Sequence, residues 1–185
     1  MPLPDRKKQM SQVNRTNPDW GHGYANQLWS EILPGLYMGG TADTDVRGQK
    51  HVSGPISPEH FNTVVTLYAW ANPVDWYVKE LRLGFYDHES VDVNANDLHQ
   101  VVEAAHEDWK AGRKVLIRCQ AGLNRSGLVT ALVLARDGMP IKEAIALLRA
   151  KRSPAALCNP DFEDWLIANH DVFMKPTEST KPIKR

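Results

Sequence analysis

The chain has 185 residues, 42% hydrophobic and 24% charged, with 22 basic side chains balanced by 22 acidic ones. That length suits one domain with a substantial core, and the composition is that of an ordinary globular protein. The even charge argues against recognition of nucleic acid by bulk positive potential, and no stretch is apolar for long enough to span a membrane. Cys119 and Cys158, far apart, do not make the disulfide framework of a small secreted domain.

In chain order, residues 1–27 are rich in Asn, Gln, Pro and Gly and read as an arm, with Trp20, Tyr24 and Trp29 placed to pack back onto a domain expected over 28–174. The beginning, Met1-Pro2-Leu3-Pro4-Asp5-Arg6, lacks the apolar run of a signal peptide, so a cytoplasmic location is expected. Leu36 to Met38 and Thr63 to Tyr68 read as strands. Between them Ala42 to His60, with Gly48, Gly54, Pro55 and Pro58, reads as an irregular loop ending in a short helical turn. Trp70 and Trp76 fall in a loop and are candidates for an exposed aromatic rim. Leu81 to Tyr86 reads as a further strand. From Asn96 to Lys110, Leu98, Val101, Val102, Ala105 and Trp109 share one side of a helix that stops before Gly112. Val115 to Arg118 is a buried strand, and an apolar-periodic helix follows over Leu128 to Ala135. Two more stripes come after it: Ile141, Ala144, Ile145 and Leu148, then Phe162, Trp165, Leu166 and Ile167 behind an Asn159-Pro160 helix start. The tail 175–185, rich in Pro, Thr, Ser and Lys, is expected to be disordered.

The chemistry concentrates between that strand and the helix after it, in Cys119-Gln120-Ala121-Gly122-Leu123-Asn124-Arg125-Ser126-Gly127. A loop there turns its backbone N–H groups into a concavity at a helix N-terminus, which binds an anion. The same positive field favours the thiolate of a cysteine at its mouth, making Cys119 a candidate nucleophile. Gly122 relieves crowding or supplies a positive φ. Arg125 offers a bidentate fork to two phosphoryl oxygens and can follow them as they flatten. Ser126 can donate a hydrogen bond to the sulfur and make it a better leaving group. Residues 120–125 (Gln120, Ala121, Gly122, Leu123, Asn124 and Arg125) are the expected phosphate cradle. This chemistry needs no metal or other cofactor, and the seven histidines show no compact ligand spacing.

This segment resembles the signature loop of the cysteine-dependent protein tyrosine and dual-specificity phosphatases, particularly the small dual-specificity branch. The likeness extends to Ile32-Leu33-Pro34-Gly35-Leu36-Tyr37-Met38-Gly39-Gly40, which resembles the family's opening strand, to Gly138-Met139-Pro140-Ile141-Lys142-Glu143-Ala144-Ile145, to Arg149-Ala150-Lys151-Arg152-Ser153-Pro154 and to Asn159-Pro160-Asp161-Phe162. The resemblance implies an α/β fold with three layers, a central mostly parallel sheet flanked by helices. It also implies phosphomonoester hydrolysis through a phosphocysteine, on phosphotyrosine first and on phosphoserine or phosphothreonine second. The family places a general acid on a mobile loop upstream of the nucleophile. Asp87 has the better spacing for that role and follows a strand-like run; Asp92 is the alternative acid. An aspartic acid in this role implies an activity optimum on the acidic side of neutrality. One departure stands out: the family usually has histidine immediately before the nucleophile, whereas this chain has Arg118, a permanent cation that could act on the thiolate at short range.

The loop does not choose among phosphate esters. Asn124 before Arg125 also resembles the loop of RNA 5′-triphosphatases of the same superfamily, so an RNA or nucleotide 5′-end remains an alternative substrate. Inside the loop, positions 120, 121, 123 and 124 supply no lysine for the extra phosphates of an inositol ring. Aromatic walls such as Trp70 favour phosphotyrosine. A catalytically impaired phosphate-binding module and an arsenate reductase or sulfur-transfer enzyme are the readings from other classes. Partners are therefore a phosphorylated protein or a small phosphomonoester, without a membrane. Cys158, among Ala155, Ala156 and Leu157, reads as a packed side chain in preference to a redox partner of Cys119.

Overall fold

The computed structural model describes Ala25, residues 27–41 and residues 55–174. Five strands, β1 Trp29–Leu33, β2 Leu36–Gly39, β3 Thr63–Thr66, β4 Lys79–Arg82 and β5 Val115–Arg118, form one sheet in the order β1-β2-β5-β3-β4. β1 and β2 are an antiparallel hairpin. Gly35 turns it with φ +82°, and the Gly35 N–H donates to Glu31 Oε1 at 3.0 Å. All other neighbours run parallel. β5 lies at the centre with every residue buried, which is why Val115, Leu116 and Ile117 run on without polar alternation. The chain leaving β5 therefore emerges at the carboxyl edge of the parallel strands, where open α/β sheets place their ligand sites.

Four helices follow: α1 Ala95–Lys110, α2 Arg125–Arg136, α3 Ile141–Lys151 and α4 Pro160–Asn169, with a 3-10 turn over His170–Phe173. Asn94 caps α1 by accepting from the N–H groups of Asn96 and Asp97. Asn159 caps α4 ahead of Pro160. Leu36, Met38, Val65, Val115 and Ile117 of the sheet, with Leu67 just after β3, pack with all four helices into the main core. α2 is buried along nearly its whole length, as a helix apolar on all sides must be. A second cluster on the opposite sheet face joins Ile56, Phe61, Val64, Val78 and Leu116, with Trp29 and Tyr37 packed against it. This is the α/β arrangement, mostly parallel and flanked by helices, that the resemblance implies.

Three strands differ in their bounds from the sequence reading, and α2 begins at Arg125, three residues before Leu128. The Ile32 to Gly40 stretch is not one strand, because Pro34-Gly35 folds it back into the β1–β2 hairpin. The strand expected over Leu81 to Tyr86 lies at Lys79–Arg82: its register pairs Val65 with Leu81, and Leu83 adds only one bond, from its N–H to Thr66 O at 3.0 Å. β3 stops at Thr66, short of Tyr68, because both neighbours end there: β5 at Arg118, whose carbonyl accepts from Leu67 N–H at 2.9 Å, and β4 at Arg82. Trp29 packs as expected, edge-on against His60 and Phe61 at centroid distances of 5.6 and 5.0 Å. The expected turn before β3 is present, with Ser57 O accepting from the N–H groups of His60 and Phe61. Trp20, Tyr24, residues 42–54 and the tail 175–185 lie outside the described residues. Among the described residues, no helix is long and apolar enough to cross a membrane.

Candidate active site

From the end of β5 the chain passes through Cys119 to Asn124 and enters α2 at Arg125. Each carbonyl from residue 120 to residue 124 is held from outside the loop. Gln120 O accepts from Thr41 N–H (3.3 Å), Leu123 O from Leu157 N–H (3.2 Å) and Asn124 O from Leu128 N–H (2.8 Å). Gly122 O and Ala121 O accept from the Arg152 guanidinium at 3.0 and 3.5 Å. In a trans peptide the N–H points opposite to its carbonyl, so holding these oxygens outward turns the following N–H groups inward. Among the described residues, none of the N–H groups of residues 120–125 has a protein acceptor. Asn124, the residue before α2, makes no side-chain cap bond, which leaves the positive helix end open to an anion. Gly122 answers both demands placed on it. Its φ is +70°, and a Cβ there would press into the Gly39 carbonyl group and the Arg152 guanidinium. Gly122→Ala is therefore expected to cost about 2–4 kcal/mol of stability, read as a lowered thermal midpoint; an unchanged midpoint would mean that the loop is not held as described.

Cys119 is 1% exposed, and its Sγ lies 3.3 Å from Ser126 Oγ in the first turn of α2. The hydroxyl accepts from a thiol and donates to a thiolate, so one geometry serves both states. Arg125 is 8% exposed. One of its terminal nitrogens donates to Phe85 O at 3.1 Å and to Leu67 O at 3.4 Å, and its guanidinium carbon lies 5.4 Å from the centre of the Tyr68 ring. Among the described residues, Arg125 Nε is buried with no partner and no carboxylate pairs with this cation. A buried charge without a counter-charge is costly unless a ligand supplies one.

Asp87 sits in the loop after β4 and is tied to this cradle. Its carboxylate accepts from Asn124 Nδ2 at 3.3 and 3.1 Å and from Asn159 Nδ2 at 3.1 Å. The two amides have their orientation set by their other contacts: Asn124 Oδ1 accepts from Asn159 N–H at 3.0 Å, and Asn159 Oδ1 accepts from Asp161 N–H at 3.1 Å. Asn159 Nδ2 also donates to His88 O at 2.8 Å, which pins the chain beside Asp87. Asp92 is exposed, and the contacts that hold Asp87 to the loop do not include it.

The family model described as dual specificity phosphatase, catalytic domain, matches residues 65–171, more than half of the chain, from within β3 through α4. The chain belongs to this family. It is 29% identical over 142 residues, 75% of its length, to the MAP kinase phosphatase with leucine-rich repeats protein 3 of Dictyostelium discoideum, but spans only 15% of that protein. It is 26% identical over 154 residues, 78% of its length, to the 123R protein of Invertebrate iridescent virus 6, which is named as a tyrosine phosphatase, and covers 98% of it. Among solved structures it is similar to human DUSP28, with a TM-score of 0.64 at 19% identity, covering 83% of this chain and 99% of that one. At that identity the likeness speaks for the fold alone.

Within this dual-specificity phosphatase domain, Arg118 does not do what its place in the sequence suggests. Neighbouring residues on a strand face opposite sides of the sheet. Cys119 joins the main core, whereas Arg118 turns to Thr66 Oγ1 (3.0 Å), Asn72 O (2.6 Å) and Glu80 Oε1 (3.3 Å). Its charge is met by Glu80, so the expectation that it acts on the thiolate at short range is corrected. The cation behind the loop is Arg152, which the sequence reading had placed only in a family-like segment. Arg149 has a related part: it donates to Ala156 O at 3.2 Å and pairs with Glu163 at 2.7 Å, bracing the turn in which Leu157 takes φ +57°. Asn159, read from the sequence as a helix cap alone, also binds Asp87. Nothing local marks these second roles, because each depends on where a distant segment lies. Cys119 and Cys158 are both free thiols. Cys158 is partly buried with Sγ 3.5 Å from Asn124 Oδ1, and burial pushes its thiol up. Trp70 and Trp76 are exposed, at 70% and 94%. Among the described residues, no group of three or more His, Cys, Asp or Glu could hold a metal ion.

Proposed function

We propose that this domain hydrolyses phosphomonoesters through a phosphocysteine intermediate, with phosphotyrosine preferred and phosphoserine or phosphothreonine secondary. The observation that carries the reading is the loop itself: five carbonyls held outward, the N–H groups of residues 120–125 left for an anion, and Arg125 buried beside them with an unpartnered Nε. Phosphoryl oxygens occupy that cradle while Cys119 Sγ, as the thiolate, attacks phosphorus. The bond to the ester oxygen breaks with its electron pair, and Asp87 donates a proton to the departing oxygen. Water then attacks the phosphocysteine, the Asp87 carboxylate takes its proton, and the sulfur–phosphorus bond breaks toward a thiolate that the Ser126 hydroxyl stabilises.

Support for an aryl ester comes from the walls. Tyr68 lies against the Arg125 guanidinium, and Trp70 meets Tyr68 edge-on at 5.8 Å while remaining largely exposed. A phenyl ring attached to a phosphate on Arg125 would meet these rings.

The test is phosphate release under reducing conditions from an aryl phosphate and from phosphotyrosine, phosphoserine and RNA 5′-phosphate substrates. Asp87→Ala is expected to lower kcat on phosphotyrosine about 10²- to 10³-fold and to remove the fall of rate that an acid in its protonated form imposes toward alkaline pH. An ester with a more acidic leaving group should lose much less. An unchanged pH profile in this variant would remove Asp87 from the mechanism. Binding without turnover by folded, reduced protein would point to a phosphate-binding module, and release from RNA alone would point to a 5′-end phosphatase.

A further inference from the structure

Arg152 follows the last turn of α3, far from the nucleophile in sequence, and is 7% exposed. Its donors reach four oxygens: Gly122 O at 3.0 Å and Ala121 O at 3.5 Å in the loop, then Gln27 O at 2.6 Å and Ser30 Oγ at 3.1 Å at the entry to β1. All four are neutral. Among the described residues no carboxylate pairs with it, in contrast to Arg118 with Glu80 and Arg149 with Glu163. Burial pushes the guanidinium down to about 10, so the group stays charged through neutrality. A buried charge held only by carbonyl and hydroxyl dipoles is an expensive feature for a fold to keep.

What it accomplishes follows from peptide geometry. The Ala121 carbonyl shares its peptide group with the Gly122 N–H, and the Gly122 carbonyl shares its own with the Leu123 N–H. Fixing both oxygens turns both N–H groups toward the concave side of the loop. The contact is tight, since a Cβ on Gly122 would run into the Arg152 fork.

We propose that Arg152 is a positioning residue for the reaction: it orients two of the anion-binding peptides and supplies, from behind the loop, the positive charge that favours the Cys119 thiolate and the phosphoryl group. The charged groups around the loop are Arg125 from α2, Arg152 after α3 and Asp87 from the loop after β4, while Arg118 faces the other side of the sheet and is paired with Glu80. Arg152 thus takes the electrostatic part that the residue before the nucleophile does not play here. The proposal rests on the reading of Cys119 as the nucleophile.

The experiment is the pH dependence of Cys119 alkylation by iodoacetamide, with mass-spectrometric assignment to Cys119. It is run on the unmodified protein, Arg152→Gln and Arg152→Lys, alongside competitive inhibition by inorganic phosphate. Arg152→Gln is expected to move the alkylation midpoint up by roughly one pH unit and to weaken inhibition by phosphate about tenfold. Arg152→Lys, which keeps the charge, should hold the midpoint near that of the unmodified protein, and its phosphate inhibition should fall between the two. A folded Arg152→Gln protein with unchanged midpoint and unchanged phosphate inhibition overturns the proposal. If that variant does not fold, Arg152→Lys decides: a midpoint raised as far as that of a free cysteine despite the retained charge overturns it, and a retained midpoint supports it. Failure of the underlying reading looks different, because the unmodified protein would then alkylate at Cys119 like an ordinary thiol, with a midpoint near about 8.5.

Discussion

Replacing Cys119 by serine is expected to lower phosphate release by at least about 10⁴-fold while leaving the fold and the affinity for inorganic phosphate intact. The substitution changes one atom in a side chain that is 1% exposed. The new hydroxyl can still meet Ser126 Oγ, which stands 3.3 Å from the sulfur. The loop is held by Thr41, Arg152, Leu157 and Leu128, none of which bonds to the sulfur, so the cradle survives. What disappears is the nucleophile, because a serine hydroxyl is not ionised at neutral pH and the Oγ contact to Ser126 supplies no base to activate it. Phosphate release under reducing conditions and titration with inorganic phosphate measure the two halves separately. A variant that retains more than about one per cent of the activity would show that the sulfur is not the attacking atom.

The second large effect concerns Arg125. Arg125→Lys is expected to lower kcat/KM about 10²- to 10³-fold, because an ammonium reaches one phosphoryl oxygen where the planar fork reaches two. Charge is conserved in this change, so a near-normal rate would show that the fork is not what the reaction uses. Stability should move the other way. Among the described residues, Arg125 is a buried cation whose Nε has no partner and whose only acceptors are the Leu67 and Phe85 carbonyls. Arg125→Met should therefore unfold at the same temperature as the unmodified protein or higher, while losing activity. A midpoint several degrees lower would mean that the two carbonyl bonds outweigh the cost of burying the charge.

Much of this domain can be read from short stretches of chain. β5 spans Val115–Arg118, as its uninterrupted apolar run indicates, and α1 spans Ala95–Lys110 within one residue of the limit set by its stripe and Gly112. The cysteine, the glycine with positive φ and the arginine at the start of α2 lie in one loop because nine consecutive residues, Cys119 to Gly127, carry them. Asp87 stands beside that loop in the structure, although its selection over Asp92 relied on resemblance to the family. The edge elements were less legible. β4 is displaced toward Lys79 because an edge strand extends only as far as its single neighbour pairs with it. The β1–β2 hairpin is not legible in the resemblance, which presents Ile32 to Gly40 as one opening strand where Pro34-Gly35 makes a turn.

By itself the sequence determined the strand, loop and helix that carry Cys119 and Arg125, since hydrophobic period, glycine and helix-start chemistry act over a few neighbouring residues. Only the tertiary structure decided which charges face that loop. Arg118, adjacent to Cys119 in sequence, points through the sheet to Glu80, while Arg152 and Asn159, distant in sequence, reach the loop and the acid. The reason is geometric. Side chains alternate across a strand whatever their chemistry, and a buried donor bonds to whichever carbonyl the packing of sheet and helices brings within reach.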